Sequence, residues 1–171
     1  MSKVVVITGP IRSGKTSFLC GVFRGRVDTG GFLCPDINGV RTFEHLAKGE
    51  VIPFEVKEPL VAGQNVTTIG KFRFRSEVFT LANQLLYDFS KSNHKYFIID
   101  EIGKLELKGA GLHEGLDFLF SNLASLSSKS TVICVIRKDL LEKVLAKYQI
   151  KNPTIHQLNG VTNFNQISLL D

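Results

Sequence analysis

The sequence predicts an α/β domain, a mainly parallel central sheet with helices on both faces and an inserted antiparallel hairpin region. Three observations carry that prediction. Residues 4–7 (VVVI), 96–99 (YFII) and 131–136 (TVICVI) are short apolar runs rich in β-branched side chains, which suits strands covered on both faces. Between them apolar residues recur at helical spacing, and strands that alternate with helices pack as parallel neighbours. Between residues 31 and 75 the helical spacing gives way to short alternating runs and turn residues, the pattern of antiparallel hairpins.

In chain order, VVVI ends in Thr-Gly-Pro and is followed by a helix that starts at Gly14 or Lys15 and runs through Phe18, Leu19 and Val22. Three glycines within residues 25–31 end it. The inserted region holds GFLCPDINGVRTF, with Asn38 and Gly39 as a hairpin turn, then VIPFEV, then GKFRFR. Strict alternation in KFRFR predicts a strand with Phe72 and Phe74 facing the core and Lys71, Arg73 and Arg75 facing water. Residues 77–90 return to helix, with Val78, Leu81, Leu85, Leu86 and Phe89 on one stripe. YFII then leads to Asp100 and Glu101. Leu112, Leu116, Leu119, Phe120, Leu123 and Leu126 share a helical spacing before TVICVI, and residues 139–147 form a short helix with Asp139 as its N-cap. TIHQLN is the last strand, and Thr162 caps a C-terminal helix that buries Phe164, Ile167 and Leu170. No repeat or linker divides the chain, so residues 1–171 are expected to form a single domain.

Composition narrows the function classes. With 43% hydrophobic and 22% charged residues the chain is globular, and a core of useful size is available at this length. A net charge of +5 suits a polyphosphate ligand as well as a nucleic acid. The one basic run with interleaved aromatics is KFRFR, whose period of two is that of a strand, so a nucleic acid partner has no support beyond charge. Cys20, Cys34 and Cys134 are odd in number and far apart, and His45, His94, His113 and His156 lack ligand spacing, so neither a disulfide framework nor a zinc site is expected. Reduced thiols, no secretory leader pattern and no long apolar span lead to the expectation of a soluble, cytoplasmic protein.

Chemistry concentrates in two places. GPIRSGKT, comprising Gly9, Pro10, Ile11, Arg12, Ser13, Gly14, Lys15 and Thr16, satisfies Gly-x-x-x-x-Gly-Lys-Ser/Thr between a predicted strand and a predicted helix. An accidental match in a chain of this length is on the order of one in a hundred or less. The two glycines allow the backbone to turn its N–H groups inward as an anion nest. Lys15 then reaches the β- and γ-phosphates, Thr16 offers a hydroxyl to Mg²⁺, and the helix dipole adds to the field, with Ser17 next in the loop. The second place is IIDEIGKLEL. A carboxylate ending a buried parallel strand lies at the ligand-binding edge of an α/β sheet, so Asp100 is a Mg²⁺ ligand candidate and Glu101 a base for the water that attacks the γ-phosphate.

These motifs resemble the cancer-related nucleoside-triphosphatase family of small P-loop proteins. The resemblance rests on VVVITGPIRSGKTSFL, GGFLCPDINGVRTFEHL, GKFRF and, above all, IIDEIGKLELKGAGL. It implies a P-loop NTPase three-layer sandwich, hydrolysis of ATP, GTP, CTP and UTP with little base preference, and Mg²⁺ as cofactor. It also departs in places. Ile11 and Arg12 stand where the family loop has Pro-Gly, Ser17 stands for its second Thr, KGAGLHEGL replaces a Ser- and Phe-containing continuation, and VIRKD replaces a His followed by a basic residue. Arg137 matches that basic group by position and is expected to sense the γ-phosphate, and Arg41 matches the hairpin arginine.

Lys104 and Glu106 either orient the Asp-Glu loop or pair with each other in solvent. By analogy of fold alone, Asn159 to Asn163 border the base. The expected partners are nucleoside triphosphates, no membrane is expected, and a monomer is the favoured state. Two alternatives stay open: a nucleotide or small-metabolite kinase whose hairpins bind the acceptor, and an NTP-binding switch or adaptor with an RNA-associated role. Glu101 favours hydrolysis, because a kinase must keep water from the γ-phosphate.

Overall fold

The computed structural model describes residues 3–57 and 63–159. The first apolar run becomes β1 (Lys3–Gly9), and Gly14 starts α1 (Lys15–Phe23), whose Phe18, Leu19 and Phe23 are buried. Next comes β2 (Thr29–Leu33), and the inserted region gives β3 (Asp36–Ile37), β4 (Val40–His45), β5 (Glu50–Pro53), β6 (Val66–Ile69) and β7 (Phe72–Arg75). Then come α2 (Ser76–Asp88), β8 (Tyr96–Ile102), α3 (Lys104–Leu107), α4 (His113–Ser121), β9 (Thr131–Arg137), α5 (Leu141–Lys147) and β10 (Thr154–Gln157).

The central sheet has the order β10-β1-β9-β8-β2-β4-β3, with β5 paired to β4. From β10 to β2 every neighbour is parallel, and β4, β3 and β5 add antiparallel strands beyond β2. Alternation divides the apolar side chains between two layers. Val5, Ile7, Ile98, Ile133 and Val135 meet Phe18, Leu19 and Phe23 of α1 on one face. Val4, Val6, Ile99, Cys134 and Ile136 meet Val78, Leu86, Leu116, Leu119 and Val144 on the other. This is the expected three-layer sandwich. Among the described residues, no helix is long and apolar enough to cross a membrane.

Several expectations need correction. Gly31 to Leu33 belong to a core strand that pairs in parallel with β8 as far as Phe32, and only its end, Phe32 and Leu33, meets the antiparallel strand β4. TGGFL hides that role because two of its five residues are glycines, yet Gly31 has φ +88 and a Cβ there would lie 2.1 Å from the Ile98 carbonyl oxygen. The close approach of β8 therefore requires a residue without a side chain.

Phe74 is buried against Phe54 and Phe79 as expected, but Phe72 is 44% exposed. It sits at the turn end of the separate β6–β7 ribbon, past the reach of the core. The helix of the 112–126 stripe stops at Ser121, and Leu126 is buried from a non-helical segment. Asp139 caps no helix. It lies in a 3-10 turn, and α5 starts later, behind Leu140. The C-terminal helix expected from Thr162 falls outside the described residues, as do the positions beyond Asn159 in the segment assigned to the base.

Candidate active site

The loop between β1 and α1 owes its shape to two glycines with different duties. At Gly9 a Cβ would lie 2.3 Å from the Leu158 carbonyl oxygen, so the chain after β10 excludes any side chain. Gly14 has φ +84 with open space around it, so there the requirement is conformational. Arg12 has φ +61, a left-handed conformation at the position where glycine is common in the resembling loops, and its side chain is exposed. Pro10, Ile11 and Ser17 are also exposed, whereas Ser13 and Lys15 are buried and Thr16 is half-buried.

Lys15 folds back on its own loop. Its ammonium donates to the carbonyls of Gly9 at 3.2 Å and Pro10 at 2.6 Å, and to Ser13 Oγ at 3.4 Å. Burial lowers its pKa against the opposing pull of Glu101 and Asp100. A phosphate in this nest can take the ammonium from those carbonyls.

Asp100 is 1% exposed near the end of β8, two residues before Ile102, and ties three parts of the chain together. Alternation turns it to the α1 face, where Thr16 Oγ1 donates to its Oδ1 at 3.2 Å across 84 residues of sequence. The Cys34 amide donates to its Oδ2 at 3.0 Å. Burial raises its pKa, and these donors, with Arg41 and Lys15 farther off, only partly offset that. Among the described residues no cation forms an ion pair with it, so it is a buried carboxylate short of positive charge. The Asp100–Glu101 peptide is cis. Glu101 is half-buried, and burial and then the neighbouring Asp100 charge raise its pKa, against Arg41, Lys15 and Arg137.

The two expected arginines differ. Arg137 ends β9, directly opposite Gly9 in the register with β1. Its guanidinium makes a two-point contact with Asp139, Nε to Oδ1 at 3.0 Å and Nη2 to Oδ2 at 2.7 Å. Arg41 is exposed on β4, shares the sheet face of Phe43, and acts electrostatically on both Asp100 and Glu101. Lys104 and Glu106 do not pair in solvent: Lys104 is exposed, but Glu106 is 4% exposed and directed at main-chain amides.

The structure therefore gathers Lys15, Thr16, Asp100, Glu101, Arg41 and Arg137 along one sheet edge. Sequence reasoning missed the Cys34 amide and the Asp139 carboxylate. A backbone donor carries no residue signature, and Asp139, two residues beyond Arg137, looked like a helix cap.

A family model described as NTPase matches residues 4–170. Among solved structures, THEP1 from the hyperthermophile Aquifex aeolicus aligns with a TM-score of 0.65 and 19% identity over 91% of this chain and 90% of that one. The solution structure of a human cancer-related nucleoside triphosphatase aligns with a TM-score of 0.60 and 21% identity over 96% and 91%. Likeness at these identities shows the fold. No match was found among curated proteins.

Proposed function

The chain belongs to the NTPase family, and from that premise we propose that it hydrolyses ATP, GTP, CTP and UTP to the diphosphate and phosphate in a Mg²⁺-dependent reaction with little base preference. The observation that carries the reading is the hydrogen bond between Thr16 and Asp100, which joins the anion-binding loop to the acidic strand end.

The backbone of Gly9, Pro10, Ile11, Arg12, Ser13, Gly14, Lys15, Thr16 and Ser17 wraps the phosphates, with its N–H groups and the α1 terminus supplying positive potential. Lys15 exchanges its loop carbonyls for β- and γ-phosphate oxygens. Thr16 and Asp100 fit Mg²⁺ because both are hard oxygen donors 3.2 Å apart and the buried carboxylate has no cation paired with it among the described residues. When bound, the ion would neutralise charge on the β- and γ-phosphates. Glu101 accepts the proton of the attacking water as its oxygen bonds to the γ-phosphorus and the bond to the β-phosphate oxygen breaks. Arg137, aligned by Asp139, stabilises the charge on the transferring phosphoryl group, and the Arg41 side adds to that field. The three cysteines are free thiols, which supports a cytoplasmic setting.

The test is phosphate release from each of the four triphosphates, with Mg²⁺ and with a chelator, for the native chain. Release with Mg²⁺ alone is expected. Release only after adding an acceptor would make the protein a kinase, and binding without turnover would make it a switch.

A further inference from the structure

The chain beyond Glu101 is held in an unusual way. After Ile102, which is fully buried, Gly103 leaves the sheet, and its amide donates to Glu106 Oε2 at 2.8 Å. The other oxygen, Oε1, accepts from the Leu112 amide at 3.2 Å. One carboxylate, 4% exposed, thus joins the exit of β8 to the start of α4. The Tyr148 hydroxyl donates to the Glu106 carbonyl at 3.3 Å, tying the same turn to the segment after α5.

The far side is clamped as well. On α2, Asn83 Nδ2 donates to the Gly111 carbonyl, and its Oδ1 accepts from the Gly115 amide, each at 2.8 Å. Gly111 has φ +65, and a Cβ there would lie 2.5 Å from Glu106 Oε1, so the turn closes directly on the carboxylate.

Glu106 is the N3 residue of a capping box at α3, which accounts for its bond to the Gly103 amide but not for the bond of its other oxygen to the Leu112 amide. Burying a carboxylate is costly unless it is well hydrogen-bonded. Here both oxygens are engaged by amides from different segments, and one of those amides lies two residues beyond Glu101.

We propose that Glu106 is a positioning residue for Glu101: by gripping the Gly103 and Leu112 amides it fixes the path of the chain that aims the Glu101 carboxylate at the attacking water. The proposal rests on the reading of Glu101 as the base. Both Glu106 oxygens are taken up by main-chain amides, so its effect passes through Glu101 and falls on turnover rather than on nucleotide binding. Glu106→Gln keeps the size, but an amide NH₂ then faces one of the two backbone donors.

The experiment compares kcat, KM, nucleotide affinity and Tm for the native chain, E106Q, E101Q and the double variant. Expected is a loss of about tenfold in kcat for E106Q with KM and affinity within about twofold, one decade of rate being 1.4 kcal/mol. The double variant should be no slower than E101Q alone, because positioning no longer matters once the base is gone. Should E106Q not fold, Glu106→Asp, which keeps the charge but shortens the reach, is read in the same way. A native kcat in a folded Glu106 variant overturns the proposal. So does a parallel fall of kcat, affinity and Tm, or a further loss of rate in the double variant. Native turnover in E101Q instead overturns the assignment of the base, and an unchanged E106Q beside an inactive E101Q overturns the positioning role alone.

Discussion

The loop after β1 and the segment after β8 make contrasting uses of the chain. In the loop, Lys15, its two carbonyl partners and Ser13 all lie within residues 9–15, and the glycines that shape it belong to the same motif. At the end of β8, Asp100 is held by Thr16 and Cys34, and the exit past Glu101 is held by Glu106, Leu112 and Asn83. The contacts of the loop assigned to binding are thus mostly local, apart from Leu158 against Gly9, whereas the apparatus assigned to hydrolysis is assembled from more distant parts. A local device depends on few other residues. A distributed one responds to changes far from the reacting atoms.

The sharpest way to break this contrast is to remove one group from each region. Glu101→Gln is expected to lower kcat by at least about a hundredfold while nucleotide binding stays near native, as single-turnover phosphate release and equilibrium titration would register. Lys15→Ala, in contrast, should weaken triphosphate binding by about thirtyfold or more, since the phosphates lose a buried charge partner. If the lysine variant lost turnover alone, or the glutamate variant lost binding alone, the division between regions would be wrong.

Two smaller effects refine it. Asp139→Ala frees the Arg137 guanidinium from a partly exposed ion pair. Such pairs contribute at most about 1 kcal/mol, so kcat should fall by no more than about fivefold with thermal stability nearly unchanged. The weakest effect should come from Phe72→Ala, because its ring is 44% exposed, and a change in unfolding free energy below about 0.5 kcal/mol is expected in denaturant titration. Phe74→Ala, on the same strand but 5% exposed, should cost about 3 kcal/mol or more in the same measurement. Equal losses for the two would show that the β6–β7 ribbon is packed differently.

Much of the fold was legible because strands buried on both faces announce themselves. VVVI, YFII and TVICVI each became a core strand, and the stripe of Val78, Leu81, Leu85 and Leu86 became α2. β2 reads as part of the antiparallel insert because its credentials as a core strand are negative: Gly31 is required by the approach of β8, and a strand with two glycines lacks the apolar run that periodicity detects. Phe72 misled for the opposite reason. Alternation states which face a side chain takes but not whether anything covers that face. Asp139 looked like a helix cap because a short acidic residue before a helix usually is one, and only its distance to Arg137 revealed the competing partner.

For this protein the sequence by itself determined the layered α/β architecture, the glycine-bounded loop proposed to bind phosphate and the acidic pair near the end of a buried strand. Each is written in neighbouring residues, through side-chain periodicity or through a motif whose backbone geometry needs glycine at set positions. Only the tertiary structure decided that Thr16 meets Asp100, that Arg137 is bound to Asp139 while Arg41 stays exposed, and that Glu106 grips the chain past Glu101. The first of these depends on strand order, which brings together residues 84 apart in the chain, whereas Asp139 and Gly103 are near neighbours of their partners and only the local backbone path decided that they meet.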